Sequence, residues 1–207
     1  KYGTDKPDLR NPLIIHDISE IFVREDVKFE IFKKLHKSGS LIKAILTKKT
    51  NTKPRSFFDK IDKWAKDQGW NGLAYFSIEE ESDNTLVAKG PIGKFFSKDS
   101  LKEIIKITSA EVGDSIFMSC SKEEEIFEIM SKSRNKIAEE LGIIDENSFA
   151  FCWITDFPVF EYDKETSKIK FSHNPFSMPQ GDLNNLDLSN PLELKAYQYD
   201  IVCNGVE

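Results

Sequence analysis

The sequence predicts an α+β protein, and three features carry that expectation. Strand-like and helix-period runs alternate at short intervals between residues 21 and 144. Several strand-like runs there lie too close together for a helical crossover between each pair, which favours a two-layer α/β sandwich. From Ser148 onward, strand-like runs follow one another with no helical run between them, as in segments of an antiparallel sheet.

Each element has a local reason. Tyr2 to Pro12, punctuated by Gly, Asp and Pro, reads as a connection, and Asp17 can cap a short turn over Ile18, Ile21 and Phe22. Phe29-Glu30-Ile31-Phe32 and Leu41 to Leu46 read as two strands separated by Ser38-Gly39-Ser40. Pro54 suits a helix start, the set Phe57, Phe58, Ile61, Trp64 and Ala65 marks one buried face, and Gly69 suits its end. Leu73 to Ile78 is a strand, Glu79 to Asn84 an acidic loop, and Thr85 to Ala88 a further strand. Ser97 or Asp99 can cap a helix over Leu101, Ile104, Ile105 and Thr108. After a strand at Ser115 to Met118, Ser121 and Glu124 have the spacing of a capping box. The longest helix follows over 122–141, with Ile126, Met130, Ile137 and Leu141 on its buried stripe and Gly142 at its end.

The final third reads differently. Phe149 to Ile154 is an apolar strand, and Val159 to Tyr162 with Ile169 to Phe171 forms a hairpin. A polar loop over 177–191 leads to a last strand through Leu194, Ala196, Tyr197, Tyr199, Ile201 and Val202. That strand-like run stops at Glu207 without a closing turn and no initiator Met is present, so both ends are expected to be cut.

Composition bounds the class. The chain has 207 residues, 39% hydrophobic and 31% charged, which excludes disordered and fibrous classes. No apolar run approaches the ~18 residues of a membrane span, and no apolar segment near Lys1 suggests a secretory signal. Cys120, Cys152 and Cys203 lie far apart and read as core thiols of a reducing, cytoplasmic setting. His16, His36 and His173 are equally scattered, which gives a structural zinc site little support. Residues 1–60 carry fourteen basic and eight acidic residues against fifteen and twenty-seven in the remainder, so +6 faces −12. Lys33, Lys34, Lys48 and Lys49 belong to the most basic stretch and are candidate RNA contacts, with a solvated lysine-rich face as the plainer reading.

No nucleotide-binding glycine loop, nucleophile elbow or paired-cysteine metal motif is present. Four blocks nevertheless occur in a telling order. They are Lys1-Tyr2-Gly3-Thr4-Asp5-Lys6-Pro7-Asp8-Leu9-Arg10, Thr155-Asp156-Phe157-Pro158-Val159-Phe160, His173-Asn174-Pro175-Phe176-Ser177-Met178-Pro179, and Tyr199-Asp200-Ile201-Val202-Cys203-Asn204-Gly205-Val206-Glu207. This succession resembles bacterial-type aspartyl-tRNA synthetase, a class II aminoacyl-tRNA synthetase. The resemblance implies a GAD insertion domain at 21–144, flanked by catalytic-domain segments at 1–20 and 145–207.

It further implies that His173 contacts the aspartate substrate and that Glu207 binds ATP together with Mg²⁺. The family's His-His-Pro-Phe wording reads His173-Asn174-Pro175-Phe176 here. The implied activity is activation of L-aspartate with ATP to aspartyl-adenylate and transfer to the 3′ end of tRNA(Asp), in a homodimeric parent enzyme with no membrane partner. Motifs 1, 2 and 3 of the family are not found in these residues, so this chain by itself is expected to be inactive. The alternative is a standalone RNA- or protein-interaction module derived from a synthetase.

Overall fold

The computed structural model describes every residue except Lys164, His173, Leu183 to Asn185 and Asp187. It resolves into two compact units, one of Lys1–Thr4 with Asn11–Glu146 and one of Asp5–Arg10 with Asn147–Glu207.

The first unit is built on a five-stranded antiparallel sheet. Strands β1 (Ile15–Asp17), β2 (Leu41–Thr47), β3 (Ala74–Glu80), β4 (Leu86–Lys89) and β5 (Ser115–Ser121) lie in the order β1-β2-β5-β3-β4. Helices α1 (Glu30–Lys37), α2 (Arg55–Asp67), α3 (Lys98–Thr108) and α4 (Glu123–Leu141) cover it. Alternate residues of each central strand enter different cores. Ile42, Ala44, Phe76, Ile78, Ile116 and Met118 join Leu101 and Ile104 of α3, while Ile45, Tyr75 and Phe117 join Phe58 and Ile61 of α2 and Ile126, Met130 and Ile137 of α4. The α+β class therefore holds, and helices lie on both faces of the sheet rather than on one, because its central strands are apolar at both parities.

Of two expectations near the start, one is corrected and one holds. Phe29 to Phe32 is not a strand: Glu30 begins α1, and Phe29, Phe32 and Leu35 pack against the first core at helical spacing. Lys34, His36 and Lys37 fall in its last turn, where cations suit the negative end of the helix dipole. Asp17 ends β1, which pairs with β2 through Ile15 and Ile45, and its carboxylate accepts the first amide of the short 3-10 turn Ser19–Val23, as expected. One Asp17 oxygen accepts the Ser19 amide at 3.0 Å and the other holds the Lys43 ammonium at 2.6 Å. Residues 11–20 thus pack with the first unit.

Of the two candidate caps for α3, the Ser97 hydroxyl accepts the Ser100 amide at 3.0 Å. The capping box at Ser121 and Glu124 does not form. Ser121 is still paired with Leu41 in the sheet, so Lys122 is the cap residue, and the Ser121 hydroxyl donates to Glu125 Oε2 at 2.6 Å.

Arg134 of α4 is 1% exposed. Its guanidinium donates to the carbonyls of Asn11 and Leu13 and lies 5.0 Å from the Tyr2 ring centroid. Asn11 answers by donating its amide to the Arg134 carbonyl at 3.1 Å. Replacing the arginine by Met keeps the volume and leaves two buried carbonyls without this donor. Arg134→Met is expected to destabilise the unit by about 2–4 kcal/mol in urea unfolding followed by circular dichroism.

Asp114 is a second buried anchor. Burial pushes its carboxyl up, but the amides of Lys49 and Glu111 and the Lys48 ammonium together hold it below its ordinary value. A depressed carboxyl contributes stability above its unfolded value of 3.8 and loses it as pH falls through the folded one. Unfolding midpoints measured from pH 7 down to about pH 2 should therefore drop below about pH 4, and Asp114→Asn should flatten that acid limb.

Among its described residues, the second unit contains two short ribbons. Strand β6 (Phe151–Ile154) pairs with β9 (Asp200–Cys203), and β7 (Phe160–Asp163) pairs with β8 (Lys168–Phe171). The hairpin is where the sequence places it. The last strand is shorter than expected. Lys195 and Ala196 form only isolated bridges, with Pro158 and Pro179 as partners, and proline offers no amide to extend a ladder.

Candidate functional site

Two of the four sequence blocks, nearly two hundred residues apart, meet inside the second unit. Strand β9 stops at Cys203 because Asn204 and Gly205 take positive φ values of 52° and 84° and turn the chain. The expectation of a last strand still running at Glu207 is therefore corrected: Glu207 lies beyond the turn. Asn204 fixes that turn. Its Oδ1 accepts the Ala150 amide at 2.9 Å and its Nδ2 donates to the Ser148 carbonyl at 3.1 Å. A side chain on Gly205 would approach Asp8 Cβ to 3.5 Å, so the turn lies against the Lys6-Pro7-Asp8 segment.

The Glu207 carboxylate receives the Lys6 ammonium at 2.8 Å. The hydrogen bond to Glu207, reinforced by the charge of Asp5, raises the Lys6 pKa above its ordinary value. Beside it, Arg10 grips Asp8 through Nε and Nη2 at 3.0 and 2.7 Å, the fork geometry that fixes both side chains. The sequence reading singled out Glu207 but neither Lys6 nor this pair, although all three residues stand in the quoted Lys6-Pro7-Asp8-Leu9-Arg10 wording.

The second block is tied in this unit to Gln180, the residue that follows the third. Asp156, at φ 61°, accepts Gln180 Nε2 at 2.9 Å, and the same amide reaches the Ala196 carbonyl at 3.0 Å. That hydrogen bond, with the charge of Lys195, holds the Asp156 carboxyl below its usual range. Asp156 is thus an ionised hydrogen-bond acceptor tied to a loop. His173 lies outside the described residues. Its neighbour Asn174 is exposed and accepts the Phe176 amide at 3.0 Å. Asp200 sits opposite Ile154 on β9.

The candidate RNA lysines do not form one patch. Lys33 donates to the carbonyls of Arg24 and Val27 at 2.7 and 3.1 Å, and Lys34 is exposed on α1. Lys48 binds Asp114 at 3.0 Å, and Lys49 donates to the Val112 carbonyl at 2.7 Å. Three of the four are therefore engaged in holding loops. The thiols are free, Cys120 buried and pushed up to about 11 by burial, Cys152 and Cys203 half-buried. Among the described residues, no three His, Cys, Asp or Glu side chains gather as a metal site, and no helix is long and apolar enough to cross a membrane.

Comparison with known proteins locates these features in a longer one. Residues 32–130 match the GAD domain family. Along its whole length the chain is 65% identical to the aspartate–tRNA(Asp/Asn) ligase of Pelagibacter ubique strain HTCC1062, covering 34% of that protein. It is 46% identical to the ligase of the same name from Beijerinckia indica and 49% identical to that of Wolbachia pipientis from Culex pipiens, again over 34% of each. The chain thus spans about a third of the length of the curated relatives it matches.

The turn that presents Glu207 depends on a left-handed glycine. Gly205→Ala forces a side chain into that backbone conformation and should cost about 1–2 kcal/mol. Loss of protection at the Ala150 amide in hydrogen exchange, with α4 of the first unit unaffected, would report it.

Proposed function

With this chain a stretch of a bacterial-type aspartyl-tRNA synthetase that contains the GAD domain, we propose that its parent protein is an aspartate–tRNA ligase. It activates L-aspartate with ATP and transfers it to the 3′ end of tRNA(Asp). The relatives' printed names extend the acceptor to tRNA(Asn) as well. The parent works in the cytoplasm as a homodimer.

The observation that supports this reading is the packing of Asn204-Gly205-Val206-Glu207 against Lys6-Pro7-Asp8, which fixes a carboxylate at the end of a strand beside a tight turn. In our reading Glu207 binds ATP and His173 hydrogen-bonds the aspartate carboxylate. The reaction is attack of an aspartate carboxylate oxygen on the α-phosphorus, which expels pyrophosphate and leaves the mixed anhydride. Positioning and neutralisation of phosphate charge supply the catalysis.

Mg²⁺ sites in nucleotide enzymes commonly use one or two carboxylates and complete their shell with water and phosphate oxygens. A lone Glu207 among the described residues fits that donor set. Glu207 would supply one oxygen, and the ion would neutralise phosphate charge. Lys6 holds the Glu207 carboxylate in place until the nucleotide arrives. Residues 1–20 and 145–207 are read as catalytic-domain segments and 21–144 as the inserted domain, and the 207-residue chain alone is read as inactive.

Pyrophosphate exchange by the parent protein tests the assignment. We expect aspartate-dependent exchange, reduced by about 10²–10³-fold in Glu207→Gln, with Lys6→Ala raising the KM for ATP. Absence of exchange with aspartate, or full activity in Glu207→Gln, would remove the reading.

A further inference from the structure

Two cavities adjoin in the first unit, of about 540 and 420 Å³, sharing Arg55, Tyr75 and Pro91 in their walls. The larger is walled by Phe29, Phe32, Leu35 and Leu73, with exposed Asn71 at its rim. Its two carboxylates are occupied from within the fold. Asp59 meets Arg55 at 3.4 Å, and Asp62 takes Lys66 at 2.6 Å and the Leu73 amide at 2.9 Å.

The smaller cavity has the opposite character. Lys53, Arg55 and Lys89 surround a floor of Phe58, Tyr75 and Ser77, and Glu79 is the single carboxylate among its lining residues. Tyr75 and Phe58 stack with ring centroids 4.4 Å apart and form an aromatic floor. Lys53 and Lys89 have no ion pair among the described residues. They differ in this from Lys33, Lys48 and Lys49, whose ammonium groups are spent on carbonyls and on Asp114.

An apolar, aromatic-walled cavity next to a groove that carries two lysines outside any ion pair, with Arg55 shared with Asp59 and Glu79 as the one carboxylate of its lining, can hold a nucleotide with its base unstacked and its phosphates on the basic side chains. We propose that this pair of cavities binds an unpaired nucleotide of an RNA strand. The base enters between α1 and α2, the Asn71 amide meets its edge, and the flanking phosphates lie on Lys53, Arg55 and Lys89. Duplex RNA is excluded, because its bases stay stacked and cannot enter the cavity. The choice of RNA rests on the reading of the parent as a tRNA ligase. Pyrophosphate exchange involves no RNA contact here, so failure of this inference leaves that reading standing.

The test is fluorescence anisotropy with the full 207-residue chain at low salt. The probes are a labelled single-stranded oligouridylate of about eight nucleotides, an abasic strand of equal length, and an RNA duplex. We expect saturable binding of the single strand and at least about tenfold weaker binding of the abasic strand and the duplex. Lys53→Glu with Lys89→Glu should weaken single-strand binding by about tenfold and flatten its salt dependence. Lys106→Glu with Lys122→Glu, the same charge change on exposed residues outside both cavities, should leave it unchanged. Equal binding of the abasic strand or duplex, equal loss in both double variants, or no binding would overturn the proposal. Uridine monophosphate competing as well as the strand does would reassign the site to free nucleotides and overturn the RNA assignment.

Discussion

Strand β5 runs down the middle of the five-stranded sheet with β2 along one edge and β3 along the other, and every residue from Ser115 to Cys120 is buried. A strand enclosed on both faces and both edges tolerates no orphaned polar group, so its serines dictate their surroundings. Ser115 shares a hydrogen bond with Ser77 at 2.7 Å across the β3 pair, and its carbonyl accepts Thr47 Oγ1 at 3.1 Å from the β2 side. Thr47 in turn meets Thr50 at 2.7 Å, which sets the chain leaving β2 on its way to α2. Asp114, the residue before the strand, gathers the amides of Lys49 and Glu111 and closes the same end of the sheet. The helices can cover both faces only because this polar seam is satisfied within the sheet.

The second unit follows another logic. Two-stranded ribbons carry little stability alone, and here side chains bridge what the ladders leave open. Asn204 joins the turn after β9 to the chain entering β6, and Gln180 joins Asp156 to the Ala196 carbonyl. The backbone adds Ala196 to Phe157 at 2.7 Å and Tyr197 to Met178 at 2.8 Å. The same devices place Glu207, since the turn that ends β9 is also what carries it to Lys6.

Where one periodicity dominated, the sequence was a sound guide. Helix α2 lies where Phe57 to Ala65 repeat at helical spacing, and the hairpin of β7 and β8 lies where two apolar runs flank a polar turn. Phe29-Glu30-Ile31-Phe32 misled because four residues fit a strand and the first turn of a helix equally well, and only Leu35, beyond that window, settles the period. The capping box failed for a tertiary reason: Ser121 was already held by Leu41 in the sheet, an interaction no local spacing encodes. The long final strand failed because its partners are prolines far away in sequence. Of the candidate site, the wording around Glu207 was legible, while its pairing with Lys6 was not, because nothing local couples residues at the two ends of the chain.

Charge is where counting and geometry part most clearly. The basic stretch reads as one patch along the chain, yet folding spreads its members over different jobs. Lys33 binds carbonyls that lead into α1, Lys43 meets Asp17 at 2.6 Å, and Lys48 compensates a fully buried carboxylate. A lysine held this way has little charge left for a ligand, because its field is cancelled at short range before it reaches solvent. Lys53 and Lys89 enter from different segments, one before α2 and one at the end of β4, and line one cavity with Tyr75 and Glu79, neither lysine in an ion pair among the described residues. Their meeting at one cavity is therefore a product of the fold, and no run of lysines in the sequence announces it.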